Sequence, residues 1–348
     1  MSSNKIRVGI LGATGSVGQK FIELIGSHPW FEIAEVAASE RSSGKKYKEA
    51  VNWILSSPIP ENAKELEVKA CEPNLDCNIV FSGLDSTVAG PIEEDFAKKG
   101  YKVISNSKNH RMDKNVPLLV PEINPDHLEL IKTQNFNGGC IVTNPNCSTI
   151  GLVLALKPLS DAFGLESVNV VTMQALSGAG YPGVASLDII DNVIPYISGE
   201  EDKLVIEPVK ILGTLSSDHI VDKPIKISSQ CNRVAVLDGH IECIQVKFKN
   251  KPSAKEIINV WRNFSGEPQK LRFPTAPEHP IYYFEEDKYP QPRIHRNLDR
   301  GMAVSIGRLR EDSLFDYKFV ALSHNTNRGA AGGALLCGEL MISKGYIK

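Results

Sequence analysis

The sequence predicts an α/β fold with two domains, and three observations lead to this prediction. The chain has 348 residues, which divide most simply into two domains because single domains usually run to about 100–200 residues. Its amino-terminal part alternates short apolar strands with helical segments, as in a mostly parallel sheet covered by helices. Between residues 168 and 250 the extended runs become longer, which indicates a second, α+β domain on a mixed or antiparallel sheet.

Local patterns place the individual elements. Short apolar runs bounded by turn residues predict strands in the first domain at 6–11, 31–38, 78–82, 101–105 and 140–143. Helical patterns predict one helix after Val17 and two more over 91–99 and 125–134. In the second domain, the longer extended runs predict strands at 167–173, 225–233 and 240–248.

The last helix bears on the domain boundaries. The small-residue run at 329–346 predicts a helix in which Gly332 and Gly333 allow close packing, so that it returns to the first domain. We therefore expect one domain made of 1–146 plus 325–348, and a second domain made of 147–324.

Composition excludes several classes of function. The formal net charge is −2, so no strong field favours nucleic acid or an anionic membrane. The seven cysteines show no paired spacing of the kind that binds zinc, and a chain of this length needs no disulfides. No apolar run approaches the ~20 residues that span a bilayer. We expect a soluble cytoplasmic protein with free thiols and without a metal centre, a nucleic-acid partner or a membrane partner.

A glycine-rich loop joins the first predicted strand to the first helix. It consists of Gly12, Thr14, Gly15, Ser16, Val17 and Gly18, with Ala13 between the first two. Glycines there let the backbone approach a pyrophosphate, and the helix offers its free N–H groups to the negative charge. The spacing alone is a weak signal, but its place between strand and helix is what a dinucleotide-binding fingerprint requires. The alternative is a tight glycine turn without a ligand.

The end of the second predicted strand bears on the choice of cofactor. An acidic residue there binds the ribose 2′-hydroxyl of NAD, whereas a basic residue accommodates the 2′-phosphate of NADP. Ser39, Arg41 and Ser42 follow this strand, so NADP is favoured over NAD. Glu40 points the other way, and Arg41 has the alternative of an exposed loop charge.

Cys147 stands where a predicted strand ends in an Asn-Pro turn and a long apolar helix begins. At a helix N-terminus, free N–H groups and the helix dipole favour thiolate over thiol. The polar turn and the small flanking residues argue against the alternative, which is a buried structural cysteine. We therefore predict that Cys147 is a nucleophile.

A thiolate that forms an acyl intermediate needs an acid–base partner, which is usually histidine. His240 is the strongest candidate because it follows Asp238-Gly239 and begins a predicted strand, which presents its imidazole at a sheet end. Arg233 is expected to lie across the turn from it. Both are also common as surface or hydrogen-bonded residues, so the pair alone decides little.

Several motifs in the same order resemble the aspartate-β-semialdehyde dehydrogenase family, in the branch typical of archaea and fungi. They are the glycine loop at 12–15, Asn-Cys-Ser-Thr at 146–149, Gln-Ala-Leu-Ser-Gly-Ala-Gly-Tyr-Pro-Gly at 174–183, the spacing from Arg233 to His240, and Asn-Thr-Asn-Arg-Gly-Ala-Ala-Gly at 325–332. The resemblance covers essentially the full length. It implies a Rossmann-type domain followed by a catalytic and dimerisation domain like that of glyceraldehyde-phosphate dehydrogenase.

The resemblance also implies roles for the residues around the sulfur. Cys147 is similar to the family's nucleophile, His240 to its acid–base residue and Gln174 to the residue that orients the acyl intermediate. Arg233 resembles the arginine that clamps the substrate's α-carboxylate, for which a guanidinium fork suits better than an ammonium.

Further contacts to substrate and cofactor are implied in the same way. Glu200 resembles the contact for the substrate ammonium and Lys203 a phosphate contact, although Glu201 is an alternative and the i, i+3 spacing also fits an ordinary surface ion pair. Arg111 resembles the arginine for the acyl phosphate, with Asn146 beside it. The remaining cofactor contacts expected are Ser82, Gly83, Ser177, Gly178 and Asn325.

The activity implied is reduction of L-aspartyl-4-phosphate by NADPH to aspartate semialdehyde and phosphate, for the synthesis of lysine, threonine, methionine and isoleucine. A homodimer or homotetramer is implied as well. Alternatives of the same fold are malonyl-CoA reductase, N-acetylglutamyl-phosphate reductase and glyceraldehyde-phosphate dehydrogenase, whose Ser-Cys-Thr-Thr-Asn pattern is absent here. A non-catalytic nucleotide or redox sensor is the alternative of another class, but a sensor needs neither His240 nor Gln174.

Overall fold

The computed structural model describes residues 5–347, so the outermost residues of the expected first domain lie outside it. Its first sheet has six strands, β1 Ile6–Leu11, β2 Phe31–Ala38, β3 Val68–Ala70, β4 Ile79–Ser82, β5 Lys102–Ser105 and β6 Cys140–Thr143. All are parallel and pair in the order β3-β2-β1-β4-β5-β6. The order reverses between β1 and β4, so a crevice opens at the carboxyl ends of these strands. The predicted Rossmann-type domain is confirmed.

The helices of this part are α1 Ser16–Ile25, α2 Tyr47–Ala50, α3 Glu61–Lys64, α4 Ser86–Lys98 and the 3₁₀ helix Pro125–Thr133. The helix predicted over 91–99 begins earlier than expected, at Ser86. Asp85 caps it by accepting the Thr87 amide at 2.9 Å, and Pro91 lies inside the helix. The helix predicted over 125–134 has the tighter 3₁₀ form.

The second part contains a mixed six-stranded sheet and a small hairpin. Its strands are β7 Leu165–Gln174, β8 Thr214–Leu215, β9 Ile220–Val221, β10 Lys226–Arg233, β11 His240–Phe248, β12 Ile281–Phe284, β13 Val304–Glu311 and β14 Tyr317–Ser323. The large sheet has the order β10-β7-β11-β14-β13-β12, and β8 pairs only with β9. The strands predicted at 167–173, 225–233 and 240–248 are β7, β10 and β11, which confirms the predicted mixed sheet.

Helices cover this sheet and connect its strands. They are α5 Cys147–Phe163, α6 Ser186–Ile189, α7 Glu200–Ile211, α8 Ala254–Arg262, α9 Glu267–Lys270, α10 Pro292–His295 and α11 Gly332–Ser343, with 3₁₀ turns Leu176–Ala179 and Leu298–Gly301 and a π turn Asn327–Ala331. The apolar helix α5 lies on the inner face of the sheet, where Leu152 and Leu156 share a core with Val170 and Ile244. Packing of α5 on these strands places its first residue at their ends.

The last helix returns to the first sheet, as its composition predicted. Leu336 and Leu340 belong to the same core as Phe31 and Phe81. A Cβ on Gly338 would lie 3.0 Å from the Phe81 ring, so glycine permits the close contact. Across residues 5–347, no helix is both long and apolar enough to cross a bilayer, and no group of three or more His, Cys, Asp or Glu side chains is placed to hold a metal ion.

Candidate active site

A cleft of about 760 Å³ runs from the carboxyl ends of β1 and β4 to the start of α5. Most of the site residues expected from the sequence line it: Gly12, Thr14, Gly15, Ser16, Val17, Ser39, Gly83, Arg111, Asn146, Cys147, Ser177, Gly178, Lys203 and Asn325. The other expected residues do not line it: Gly18, Arg41, Ser42, Ser82, Gln174, Glu200, Arg233 and His240. The cleft therefore joins a glycine loop of one part of the chain to the cysteine and cations of the other.

The glycine loop is closely packed. Gly12 has a φ of 74°, and a Cβ there would lie 2.8 Å from the Gly83 carbonyl oxygen. A Cβ on Gly18 would lie 2.2 Å from the Gly12 carbonyl oxygen, so glycine is needed where α1 meets the loop. Gly15 caps α1 without a side-chain hydrogen bond, and the first turn has no acidic residue. The first N–H groups of α1 are therefore open to a phosphate, and the loop fits a dinucleotide.

Only part of the expected 2′-phosphate site faces this cleft. Ser39 lines it, whereas Arg41 is exposed and Ser42 half-buried on the turn that follows. Ser82 is fully buried behind the loop after β4, where its hydroxyl accepts the Leu84 amide at 3.5 Å. Ser82 therefore supports the loop after β4 from behind and does not reach the cleft surface.

Cys147 is the first residue of α5 and is partly exposed. Asn146 caps this helix, because its Oδ1 accepts the amides of Ser148 at 3.0 Å and Thr149 at 3.3 Å. Those two N–H groups are therefore not available to the sulfur, contrary to the expectation of an open helix end. Among the hydrogen bonds of residues 5–347, none uses the Cys147 amide, so this N–H remains a donor for a developing oxyanion.

The His240 ring lies beside the sulfur in a defined orientation. Its Nε2 is 3.2 Å from the Cys147 Sγ, and its Nδ1 accepts the Ala175 amide at 3.0 Å. A ring nitrogen that accepts an N–H bond carries no proton, so the neutral ring holds its proton on Nε2. His240 therefore offers the sulfur an N–H donor, and not the lone pair that a base for the thiol needs.

Burial sets the ionisation state of this pair. It raises the pKa of the Cys147 thiol to about 12, with a further contribution from Glu200. Burial, followed by the charge of Arg233, lowers the pKa of His240 to about 3. Burial therefore favours the neutral form of both groups, whereas the charges of Arg111, Lys203 and Arg233 favour the Cys147 thiolate that the sequence predicts.

Glu200 is the main hydrogen-bond acceptor near the sulfur. Its carboxylate accepts Lys203 Nζ at 2.6 Å, Asn146 Nδ2 at 2.8 Å and Gln174 Nε2 at 3.3 Å. Burial alone would raise its pKa, but Lys203 and the two amide donors keep that pKa below its ordinary value. Glu201 accepts a backbone amide of β10 instead. Of the two glutamates that the sequence left open, Glu200 is the one whose carboxylate faces the site.

Arg233 and Gln174 meet because they end neighbouring parallel strands, β10 and β7, at paired positions. The Arg233 guanidinium donates to the Ala175 carbonyl at 2.7 Å. A Cβ on Gly178 would lie 2.9 Å from Arg233 Nη1 and 3.2 Å from His240 Nε2, so Gly178 covers both side chains. Arg233 and His240 stand at the two ends of the loop 234–239, as predicted, but their strands are not paired directly because β7 lies between β10 and β11.

Arg111 and Lys203 form a cationic wall of the cleft. The buried Arg111 donates from Nη1 to Glu207 Oε1 at 2.9 Å and from Nη2 to the Asn106 carbonyl at 2.7 Å. Its Nε is buried without a hydrogen-bond partner among residues 5–347. Lys203 lines the same part of the cleft. A phosphate there would meet the guanidinium of Arg111 and the ammonium of Lys203, which suits its charge.

Glu207 was not singled out from the sequence, yet it connects the cationic wall to the nucleophile. It is 2% exposed, and its Oε2 accepts the Asn146 amide at 2.7 Å while its Oε1 accepts Arg111. The sequence contained a signal, because charged residues recur along one face of α7 at 200, 203, 207 and 210. That spacing does not reveal the partners, which lie on other segments.

Two family models match the chain. The semialdehyde dehydrogenase NAD-binding domain matches residues 7–131, and the semialdehyde dehydrogenase dimerisation domain matches residues 156–328. Cys147 lies in the short interval between the two matches.

Curated relatives are similar over nearly their whole length. The aspartate-semialdehyde dehydrogenase of Schizosaccharomyces pombe is 50% identical over 355 residues, which cover 98% of this chain and 99% of the relative. That of Archaeoglobus fulgidus is 49% identical over 344 residues, with 98% and 99% coverage.

Solved structures show the same similarity. The Candida albicans aspartate-semialdehyde dehydrogenase with NADP has a TM-score of 0.92 at 44% identity, covering 99% of this chain and 100% of that one. The Vibrio cholerae aspartate-semialdehyde dehydrogenase II in complex with ASA has a TM-score of 0.79 at 27% identity, with 99% and 100% coverage.

Proposed function

Because the chain belongs to the aspartate-semialdehyde dehydrogenase family, we propose that it reduces L-aspartyl-4-phosphate with NADPH to aspartate semialdehyde and phosphate. This oxidoreductase step serves the synthesis of lysine, threonine, methionine and isoleucine. The observation that carries the proposal is the 3.2 Å contact of Cys147 Sγ with His240 Nε2 at one end of a dinucleotide-sized cleft. The relatives are named for this activity. The alternatives, malonyl-CoA reductase, other acyl-phosphate reductases and a non-catalytic sensor, are therefore not favoured.

The cofactor is NADP, and the cleft fits it. The glycine loop and the open start of α1 hold the diphosphate, and Ser39 lies toward the adenosine end. At the other end of the cleft, Asn325 links two segments. Its Nδ2 donates to Ser177 Oγ at 2.7 Å, and its Oδ1 accepts the Gly239 amide at 2.8 Å. Ser177 and Gly178 thus form a fixed surface above His240 for the nicotinamide. When bound, NADPH supplies the hydride that reduces the acyl group on Cys147.

Substrate recognition divides between two groups of charges. Arg233 binds the α-carboxylate and Glu200 the α-ammonium, since both are buried at the ends of elements that meet near Cys147. Arg111 and Lys203, which both line the cleft, bind the phosphate. The amino-acid end of aspartyl phosphate therefore meets Arg233 and Glu200, and its phosphate meets Arg111 and Lys203, which also pairs with Glu200 at 2.6 Å.

In the first half-reaction, Cys147 Sγ bonds to the acyl carbon, and the bond between that carbon and the phosphate oxygen breaks. The proton of the Cys147 thiol ends on the departing phosphate as hydrogen phosphate, so the step is balanced. Arg111 and Lys203 hold the departing charge. The thioester that remains accepts hydride more readily than a carboxylate does.

In the second half-reaction, the residues beside the sulfur stabilise negative charge. The Cys147 amide and the Nε2–H of His240 are the donors for the oxyanion that forms on the former carbonyl oxygen. When the carbon–sulfur bond breaks and the aldehyde leaves, the same Nε2–H stabilises the Cys147 thiolate until it regains a proton from solvent. Gln174, at the end of β7, donates to Glu200 and positions the acyl group.

We also propose that the chain forms a homodimer or homotetramer through its second part, as the matched dimerisation domain suggests. Four large apolar side chains within 187–196 are exposed, Leu187 at 90%, Ile190 at 64%, Val193 at 55% and Tyr196 at 64%. Such a run on a monomer is unusual and suits an interface. Light scattering after size exclusion tests this. A monomeric wild type would contradict the proposal, and Leu187→Asp should weaken association.

The expected domain division and compartment remain proposals. The division into 1–146 plus 325–348 and 147–324 is supported by the packing of α11 against the first core. The limits of the two family matches support it as well. A cytoplasmic location is supported by seven cysteines that are all free. Limited proteolysis tests the domain boundaries, and fractionation of cells tests the location.

The function is tested in reverse, by following NADP reduction with aspartate semialdehyde and phosphate. We expect phosphate-dependent turnover in the wild type and none in Cys147→Ala. The control Cys243→Ala, at a half-buried cysteine of β11, should keep wild-type turnover. Activity that persists in Cys147→Ala, or a wild type that prefers malonyl-CoA chemistry, would overturn the proposal. Replacing NADP with NAD measures the cofactor preference directly.

A further inference from the structure

Lys210 is a buried ammonium without a carboxylate partner. It lies near the end of α7 and is 5% exposed. Its Nζ donates to three backbone carbonyls, those of Arg111 at 2.7 Å, Asp113 at 2.8 Å and Val116 at 3.0 Å. These acceptors use all three N–H groups of the ammonium. No salt bridge within residues 5–347 includes Lys210.

A buried charge of this kind is costly. Burial lowers the pKa of Lys210 to about 8, although Asp113, Asp222 and Glu207 act in the opposite direction. A hydrocarbon side chain of similar size would fill the same space without the desolvation cost. Only an ammonium, however, can hold three carbonyls of one loop around a single point.

The three carbonyls belong to the loop at 106–116, which has no helix or strand of its own. This loop carries Arg111, and Glu207 on α7 accepts the Arg111 guanidinium at 2.9 Å. One turn further along α7, Lys210 binds the backbone at and after Arg111. Helix α7 therefore holds this loop at two points. Glu207 binds the Arg111 side chain, and Lys210 binds the main chain of the loop.

We propose that Lys210 is a positioning residue for the phosphate-binding wall of the active site. It fixes the backbone at 111–116 and so keeps the Arg111 side chain at the cleft that also contains Cys147. Lys210 is not among the residues that line the cleft, so it acts through Arg111 and does not touch the substrate. The inference rests on the proposed function, which assigns the phosphate to Arg111.

The test is steady-state kinetics of the full chain in the direction that consumes phosphate. Lys210→Met keeps the hydrocarbon length and removes the three donors. The matched control is Lys114→Met, because Lys114 lies on the same loop but pairs with Asp218 at the surface at 2.7 Å. We expect Lys210→Met to raise the KM for phosphate about tenfold or more, while the KM for aspartate semialdehyde changes less than about twofold. Lys114→Met should change neither.

The outcomes separate three cases. A role in stability alone would lower kcat with the folded fraction and leave the ratio of the two KM values unchanged, which would overturn the proposal. A wild type without phosphate-dependent turnover would overturn the proposed function instead. A selective rise in the KM for phosphate in Lys210→Met supports the positioning role.

If Lys210→Met does not fold, the proposal is tested by the pH dependence of the two KM values of the wild type. The titratable groups around Lys210 are Glu207 on its own helix, His110 and Asp113 on the loop, His127 on the 3₁₀ helix and Asp222 after β9. As pH rises through about 8, Lys210 loses its proton and one of its three N–H donors. The ratio of the phosphate KM to the semialdehyde KM should therefore rise at least about threefold between about pH 7 and pH 9.5. A constant ratio would overturn the proposal.

Discussion

Gly329 packs directly on the nucleophile, and its replacement should displace Cys147. It lies in the π turn Asn327–Ala331 before α11. A Cβ on Gly329 would lie 2.6 Å from the Cβ, 2.8 Å from the Cα and 3.1 Å from the carbonyl oxygen of Cys147. Relaxed contacts between carbon atoms are about 3.5–4.0 Å. Because the atoms met are mostly backbone, Gly329→Ala must push the two segments apart by about 1 Å.

A shift of this size acts on the reaction geometry. The sulfur and His240 Nε2 are 3.2 Å apart, and a misplacement of about 1 Å costs roughly 100-fold in rate. We expect the kcat of Gly329→Ala in phosphate-dependent NADP reduction to fall about 100-fold, with little change in the KM for NADP.

The matched control is Gly338→Ala in α11. A Cβ there would lie 3.0 Å from the Phe81 ring and 3.1 Å from the Phe31 ring, so it disturbs core side chains and not the nucleophile. Its melting temperature should fall while its kcat stays near the wild-type value. Wild-type kcat in Gly329→Ala would refute the reasoning, and an equal loss in Gly338→Ala would show that general loosening is responsible.

Three further predictions concern charge. Burial raises the pKa of Cys147 to about 12. The rate of its alkylation by iodoacetamide, measured by mass spectrometry of the Cys147 peptide, should therefore keep rising through alkaline pH. A rate plateau near neutral pH would mean that Cys147 rests as a thiolate. Arg233→Lys loses the guanidinium fork and should raise the KM for aspartate semialdehyde about tenfold or more without changing the KM for phosphate; an unchanged semialdehyde KM would exclude the carboxylate role. Glu242 is buried, neither of its carboxyl oxygens has a partner among residues 5–347, and burial raises its pKa well above the ordinary 4.5. The native state then keeps a proton that the unfolded state releases, so its contribution to stability falls as pH rises above 4.5. Glu242→Gln cannot ionise and should melt higher than the wild type at neutral and alkaline pH, with a flatter pH dependence; identical melting curves at every pH would contradict this.

The first sheet was predictable because its strands are short apolar runs that are buried on both faces, as in β4 and β6. β3 escaped prediction because it has only three residues, one of them lysine. Strands β12 to β14 were not predicted either. In β13 and β14 buried and more exposed residues are mixed, and β14 also pairs with the distant strand β11. Helix α4 begins before the predicted 91, because Asp85 caps it and Pro91 lies within it.

The site was predictable to the extent that its signals are local. The glycine loop and Cys147 each stand within one strand, turn and helix, and the cleft lining includes them as expected. The partners of Glu207, Lys210 and Gly329 carried no such signal. Each acts on a residue of another segment, as in the bond from Lys210 to Arg111 across 99 residues of chain.

The sequence by itself determined the parallel sheet, the phosphate-binding turn and the position of Cys147 at the start of a helix, because each depends on neighbouring residues and their periodicity. Only the tertiary structure decided the protonation of the reactive pair. Cys147 and His240 are 93 residues apart, and their burial, the Ala175 amide on Nδ1 and the surrounding charges come from separate elements. The energies of ionisation depend on distance and solvent access in three dimensions, which the order of residues along the chain does not specify.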